Sequence, residues 1–103
     1  MAVDLTVPRE YKRRAEGALP GRVVKVVLYG SRARGDAHDE SDWDLAVFLR
    51  GPVTLDECHL LSDVGASVLW DHGAVIQSLP LAESRQSEES ALLHAVWADG
   101  IPI

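Results

Sequence analysis

The sequence has little cysteine, no long apolar run and no surplus of basic residues. Its 103 residues include a single cysteine, Cys58, which rules out an intramolecular disulfide. The place of Cys58 in a helical pattern predicts a small buried side chain rather than a reactive thiol. No apolar stretch approaches the roughly 18 residues of a transmembrane helix, and residues 1–10 lack a signal peptide's basic start and apolar centre. These absences predict a cytoplasmic protein that does not contact a membrane.

Acidic residues outnumber basic ones, and the formal net charge is −6. Five acids lie close together in the sequence: Asp36, Asp39, Glu40, Asp42 and Asp44. Nucleic-acid binding draws most of its strength from cationic contacts to phosphates, so we expect no extensive binding of DNA or RNA. A small anionic nucleotide remains compatible with this charge if a bound cation reverses the local field.

Helical and strand patterns alternate along the chain. Hydrophobic residues make up 47% of the sequence and charged residues 25%, which is typical of a folded domain of this length. The predicted order is helix, strand, short helix, strand, helix, strand, helix, at residues 7–19, 23–29, 31–34, 42–49, 55–70, 74–79 and 88–99. We therefore expect residues 1–103 to form one domain of the α/β class, a small mixed β-sheet of three or more strands flanked by helices.

The third helix has the clearest local signals. Thr54 followed three residues later by Glu57 is a capping box at its start, and Gly73 marks its end. Its predicted core-facing residues are Leu55, Cys58, Leu61, Val64, Gly65, Val68 and Leu69. The last helix has a predicted apolar face of Leu92, Leu93, Val96 and Trp97. Trp70 and Trp97 are both expected to pack between a helix and the sheet.

Two aspartates introduce the second strand. Side chains alternate between the faces of a strand, so Asp42 and Asp44 point to one side while Trp43 points into the opposite core. Two close carboxylates at the end of a buried strand repel each other unless a cation or protons compensate them. The pair therefore predicts a site for one hard cation such as Mg²⁺, and the alternative is a solvated acidic loop.

A Gly-Ser turn precedes the aspartates by ten residues. Gly30 and Ser31 end an apolar strand and open a short helix, whose first backbone N–H groups suit a phosphate. The guanidinium groups of Arg32 and Arg34 are shaped for bidentate phosphate contacts. The alternatives are an ordinary turn capped by Ser31 and two surface arginines.

Other common sites do not occur in the sequence. It contains neither a P-loop with Gly-Lys-Ser or Gly-Lys-Thr nor the Gly-x-Gly-x-x-Gly dinucleotide motif. No pattern places a nucleophile, a base and an orienting group together. The four histidines lack paired zinc-ligand spacing, and they are His38, His59, His72 and His94.

The motif GSRARGDAHDESDWDLAVFL, residues 30–49, resembles the nucleotidyltransferase superfamily related to DNA polymerase β. Within that superfamily it is most similar to the small stand-alone members called minimal nucleotidyltransferases (MNT), and residues 75–103 are compatible with their C-terminal part. The resemblance implies the polymerase β-like fold, an Mg²⁺ ion held by the catalytic residues Asp42 and Asp44, and a nucleotide held by the Gly-Ser turn. The implied nucleotide-binding residues are Gly30, Ser31, Arg32, Arg34 and Ser41.

The resemblance also implies an activity. A nucleoside monophosphate, in the first place AMP from ATP, would be transferred to a hydroxyl on a protein partner. Because 103 residues leave little room for an acceptor domain, the acceptor would lie on a partner, typically a HEPN-type toxin, or on a second copy of the chain. The first alternative is a nucleotide-binding module that masks a partner without catalysis. The second is an antibiotic-modifying nucleotidyltransferase, which would usually need a further helical domain.

One departure from the superfamily pattern bears on catalysis. Complete members carry a third carboxylate on the strand after the third helix, whereas residues 74–79 contain no acid. Either Gln77 or Ile76 should occupy the corresponding place, and Glu83 lies beyond Pro80. We therefore expect the isolated chain to bind nucleotide but to turn over slowly.

Overall fold

A computed structural model describes residues 3–36, 38 and 41–103. The elements in chain order are α1 (Thr6–Ala18), β1 (Val23–Tyr29), α2 (Ser31–Arg34), β2 (Trp43–Leu49), α3 (Leu55–His72), β3 (Ile76–Ala82), a 3₁₀ helix (Glu83–Ser87), α4 (Ala91–Ala98) and β4 (Ile101–Pro102). Within the described part of the chain, no helix is both long enough and apolar enough to cross a membrane. The predicted α/β class is confirmed.

The four strands form one mixed sheet in the order β3-β2-β1-β4. Strand β1 runs antiparallel to β2 and β4, whereas β2 and β3 are parallel. In this register Asp44 of β2 lies between Tyr29 of β1 and Gln77 of β3. Paired residues on neighbouring strands share a face, so these three side chains point to the same side of the sheet.

The two faces of β2 separate two hydrophobic cores. Trp43, Leu45 and Val47 pack in the core that α1 and α3 cover. Ala46 and Phe48 pack on the other face, in the core that α4 covers. This arrangement confirms the alternation predicted for the strand, and it places Asp44 on the face of Ala46 and Phe48.

The start and end of α3 are as predicted. The Thr54 hydroxyl accepts a hydrogen bond from the Glu57 backbone N–H, and the Glu57 carboxylate accepts one from the Thr54 N–H. Glu57 also accepts from Arg22 over 2.7 Å, which contributes most to lowering its pKa to about 2. Gly73 ends the helix in the left-handed conformation with φ of 68°. Through its ion pair with Arg22, Glu57 of the capping box joins α3 to the loop before β1.

The predicted helix faces were partly wrong. Trp70 is 90% exposed and Leu55 is 71% exposed, so neither packs against the sheet. The buried residues of α3 are Glu57, Leu61, Val64, Gly65 and Val68. Leu69 is also exposed, and Cys58 is half-buried. A helix contacts a sheet along a stripe narrower than the apolar stripe of this sequence, which leaves the apolar residues at its margins exposed.

Helix α4 differs in the same way. It begins after the N-cap Ser90 rather than after Ser87, because residues 83–87 form a 3₁₀ helix first. Leu93 and Val96 are buried, whereas Leu92 is 39% exposed. Trp97 is partly exposed but stacks on Phe48 with a centroid distance of 5.7 Å, so its predicted contact with the sheet is confirmed.

Two strand predictions require correction. Strand β3 does not end at Pro80 but continues through it to Ala82. It is an edge strand. The N–H of Trp43 donates to the carbonyl of Val75, so Val75 and every second residue after it direct their backbone groups toward β2. Pro80 lies between two of these residues, and its backbone therefore faces away from β2. A proline costs no ladder hydrogen bond there. Strand β4 was not predicted, because two residues carry no periodic signal.

Candidate functional site

The Gly-Ser turn and the aspartates meet at one end of the sheet. Gly30 has a φ of 75°, which favours glycine, and a Cβ atom built on it would overlap Oδ2 of Asp44. The backbone of the turn therefore lies directly against this carboxylate, at a distance that a larger residue would prevent. The sequence predicted both features, and the structure brings them together.

Helix α2 begins immediately after this contact. The backbone N–H groups of Ala33 and Arg34 donate to the carbonyl of Gly30. The N–H groups of Ser31 and Arg32 precede the first bonds of the helix, as at any helix start. Gly35 then adopts the left-handed conformation and donates its N–H back to the carbonyl of Ser31. The result is a tight turn in which Gly30, the residue before the helix, lies against Asp44.

Electrostatics at the carboxylate pair favour a cation. Burial raises the pKa of Asp44, the neighbouring charge of Asp42 raises it further, and Arg34 acts in the opposite direction. Burial also raises the pKa of Tyr29, with a second contribution from Asp44. Negative charge is therefore unfavourable at this partly buried position, and Arg34 offsets its cost only in part. A hard divalent ion would remove that cost.

Asp42 and Asp44 could bind such an ion if a bound ligand supplied the remaining oxygen donors. In the part of the chain that the structure describes, no cluster of three or more His, Cys, Asp or Glu side chains could hold a metal by itself. Mg²⁺ is commonly bound by one or two carboxylates together with phosphate oxygens and water. Asp42 and Asp44, next to a turn that could hold a phosphate, match this arrangement of carboxylates and phosphate oxygens.

Gln77 occupies the place on β3 that faces the aspartates. It is paired with Asp44 in the parallel register, and its Nε2 donates to Oδ2 of Asp42 over 3.2 Å. Ile76 points to the opposite face, where it packs against Gly65 of α3. Of the two residues that the sequence left open, Gln77 is therefore the one at the site. An amide stands where an acid was expected.

Glu83 cannot replace that acid. It follows Ala82, which pairs with Leu49 at the far end of β2. Leu49 lies five positions after Asp44, which amounts to about 17 Å along a strand. Glu83 instead lies near Arg22, whose pKa it helps to raise.

The two arginines of α2 have different surroundings. Arg34 forms ion pairs with Asp36 at 3.2 Å and with Asp99 at 3.7 Å, and its charge reaches Asp44. Arg32 instead donates from Nε to the carbonyl of Ser41 over 2.9 Å and lies over the ring of Trp43. Arg34 thus borders the carboxylates, whereas Arg32 contacts the backbone and the ring behind them.

The loop before β2 is described in part. Ser41 accepts a hydrogen bond from the His38 N–H through its hydroxyl and donates its own N–H to the His38 carbonyl. These bonds close a short turn just before Asp42. Asp39 and Glu40, which the sequence placed in an acidic cluster, lie outside the described residues.

Two neighbours of the site were not found from the sequence. Tyr29 flanks Asp44 through the antiparallel pairing of β1 with β2, and Asp99 reaches Arg34 from the end of α4. Tyr29 ends an apolar strand and Asp99 ends a helix, and neither position carries a local signal for a site. Their proximity arises from pairing between distant segments.

The chain matches a known family over most of its length. Residues 18–103 match the family described as polymerase beta nucleotidyltransferase. Two Methanocaldococcus jannaschii proteins, each named "putative protein adenylyltransferase", are similar in sequence. One is 32% identical over 75 residues, which cover 73% of this chain and 70% of that protein. The other is 34% identical over 53 residues, which cover 52% of this chain and 54% of that protein.

Solved structures share the fold. A Sulfolobus solfataricus "putative nucleotidyltransferase" is 20% identical and superposes with a TM-score of 0.66 over 95% of this chain and 77% of that one. A mutant of the toxin–antitoxin pair MntA–HpeT superposes with a TM-score of 0.69 at 15% identity, over 91% of this chain and 69% of that one. A toxin–antitoxin solved with AMP-PNP gives a TM-score of 0.65 at 15% identity, over 89% of this chain and 68% of that one.

These matches agree with the geometry of the site. The family match spans the Gly-Ser turn, the aspartate pair and all four strands. The fold of the solved structures agrees with the mixed sheet and its flanking helices. The resemblance of residues 30–49 to the nucleotidyltransferases related to DNA polymerase β is thereby confirmed, and the chain is a nucleotidyltransferase of the polymerase beta family.

Proposed function

We propose that the chain transfers AMP from ATP to a hydroxyl on a protein partner, with Mg²⁺ held by Asp42 and Asp44. The observation that carries this proposal is the close approach of the Gly30 backbone to Asp44. It supports a phosphate-binding turn directly beside a cation-binding carboxylate pair. A triphosphate in the turn would bring its phosphates to the carboxylate pair. Bound there, Mg²⁺ would neutralise the charge that develops at the α-phosphate.

The protein's own residues would position and stabilise the reactants. The backbone N–H groups at the start of α2, with the Ser31 hydroxyl, would hold the terminal phosphates, and Arg34 would offset their charge. The acceptor oxygen attacks the α-phosphorus in line, the bond to the pyrophosphate oxygen breaks, and the acceptor loses its proton. Gln77 cannot take that proton, so the partner or solvent would accept it.

Two observations support a protein as the acceptor. The two sequence relatives are named as putative protein adenylyltransferases. Two structural neighbours are toxin–antitoxin proteins, one of them with the ATP analogue AMP-PNP. We propose a HEPN-type toxin as the partner, this chain as its cytoplasmic antitoxin, and a second copy of the chain as the alternative acceptor.

A second candidate function is favoured by Gln77. With an amide in the place of the third acid, the site could bind Mg²⁺ and ATP yet transfer AMP slowly. The chain would then act on its partner by masking it. An antibiotic-type acceptor is the third candidate.

The test is the mass of the partner after incubation with ATP and Mg²⁺. A gain of one AMP per toxin molecule, absent with the Asp42→Asn/Asp44→Asn chain, supports transfer. A stable complex without mass gain supports masking. Transfer of AMP to an aminoglycoside and not to the toxin would instead support an antibiotic-modifying nucleotidyltransferase.

A further inference from the structure

We propose that Arg32 is a positioning residue that holds the Asp42–Asp44 pair in place for the cation, and that it does not contact the nucleotide. This inference rests on the proposed function of the same site. It assigns to Arg32 a role different from the phosphate contact that the family resemblance implies.

The contacts of Arg32 surround Asp42 on both sides. Its Nε donates to the carbonyl of Ser41 over 2.9 Å, and its Nη2 donates to the carbonyl of His38 over 3.3 Å. Its guanidinium carbon lies 4.1 Å from the centre of the Trp43 ring. Ser41 immediately precedes Asp42 and Trp43 immediately follows it. The Arg32 side chain therefore contacts both residues that flank Asp42 in the sequence.

The alternation of the strand places this guanidinium behind the carboxylates. Trp43 is 7% exposed and packs in the core covered by α1 and α3, whereas Asp42 and Asp44 point to the other side. A group seated on the Trp43 ring is therefore separated from the phosphate side by the strand. While Arg32 keeps these contacts, its charge does not face a triphosphate in the Gly30 turn.

The same side chain connects the two halves of the site. Arg32 belongs to α2 and follows Ser31 of the Gly-Ser turn, and it donates to His38 and Ser41 and lies over Trp43 in the segment that carries the aspartates. It thereby fixes the distance between the turn and the carboxylate pair. Residues that orient metal ligands in this way typically contribute about 10- to 100-fold to metal affinity when they are intact.

The chemistry requires arginine rather than any cation. The planar guanidinium presents several N–H donors to two carbonyls while its face stacks on an indole. A lysine would retain the charge but would lose the second carbonyl contact and the stacking. Arg32→Lys should therefore behave like a loss of function, which distinguishes a geometric role from a purely electrostatic one.

The experiment separates cation binding from nucleotide binding. Mn²⁺ affinity is measured without nucleotide by electron paramagnetic resonance, and ATP affinity is measured in EDTA by calorimetry. For Arg32→Lys and Arg32→Met we expect Mn²⁺ affinity to fall about 10-fold while ATP affinity in EDTA stays within about twofold of the wild type. Arg34→Lys and Arg34→Met serve as matched controls from the same helix, and they should mainly weaken ATP binding in EDTA.

Each other outcome overturns the inference. If Arg32→Lys weakens ATP binding in EDTA and leaves Mn²⁺ affinity unchanged, Arg32 is a nucleotide ligand. If neither affinity changes in folded variants, Arg32 has no role at the site. If the wild type binds Mn²⁺ no better than Asp42→Asn/Asp44→Asn, the proposed cation site itself is wrong. Thermal unfolding of each variant identifies any that fail to fold, and the milder Arg32→Lys change then decides the result.

Discussion

Gln77 donates a hydrogen bond from its side-chain amide to Oδ2 of Asp42 over 3.2 Å while lying opposite Asp44 in the parallel pairing of β2 with β3. It is thus hydrogen-bonded to one member of the carboxylate pair and is the strand partner of the other. An amide can orient a carboxylate and coordinate a cation weakly through its carbonyl oxygen. It cannot accept the proton of an attacking hydroxyl, which is the task of a general base.

Restoring an acid at residue 77 should increase the rate of transfer. A positioned base contributes about 10²- to 10⁴-fold, so Gln77→Asp should raise the single-turnover rate of AMP transfer to the partner by up to that range. Gln77→Asn is the control of matched size, because it differs from Gln77→Asp only in lacking the acid. Rapid transfer by the wild type to a generic acceptor would show that two carboxylates suffice.

Removing both aspartates should abolish the effect of magnesium on stability. Under the proposed function, ATP with Mg²⁺ binds the folded state, so the melting temperature of the wild type should be higher with both than with ATP and EDTA. In Asp42→Asn/Asp44→Asn that difference should vanish, because neither amide replaces a charged ligand. Asp63→Asn, an exposed site on α3, should leave the difference unchanged. A full magnesium effect in the double variant would place the cation elsewhere.

Asp44 should make the metal-free protein less stable as the pH rises. Its pKa is raised in the folded state, so the folded protein binds this proton more tightly than the unfolded chain does. Stability is therefore lost as the pH rises through the raised pKa. In EDTA, Asp44→Asn should be more stable than the wild type at pH 7, and the difference should disappear below about pH 4. Equal melting temperatures at pH 7 would contradict the electrostatic cost inferred for this carboxylate.

A negative charge at residue 31 should repel the triphosphate. Ser31→Asp places a carboxylate at the start of α2. An acid near a helix N-terminus is compatible with the fold, but its negative charge would repel the phosphates. We expect ATP affinity to fall about 10-fold or more, which corresponds to a charge repulsion of about 1.4 kcal/mol or more in a partly buried site. Ser31→Asn is the neutral control of similar size. Unchanged ATP affinity in folded Ser31→Asp would remove Ser31 from the site.

The local parts of the site could be predicted because they depend on residues close in sequence. The alternation of β2 follows from a period of two, so it separates Asp42 and Asp44 from Trp43 without knowledge of the fold. The capping box of Thr54 with Glu57 is complete within four residues. The same holds for the turn at Gly30, whose positive φ favours glycine in any context.

Tertiary structure decided what lies beside these local features. Tyr29 and Gln77 flank Asp44 because of a strand register between segments that are distant in sequence, and a shift of one residue would have brought Ile76 to Asp44 instead. Trp70 is exposed because the stripe of α3 that meets the sheet does not include it. Arg32 contacts Ser41 and Trp43, and its position in the sequence does not indicate these contacts. A sequence pattern specifies which residues share a face of one element, whereas the pairing and packing of elements determine which residues face each other.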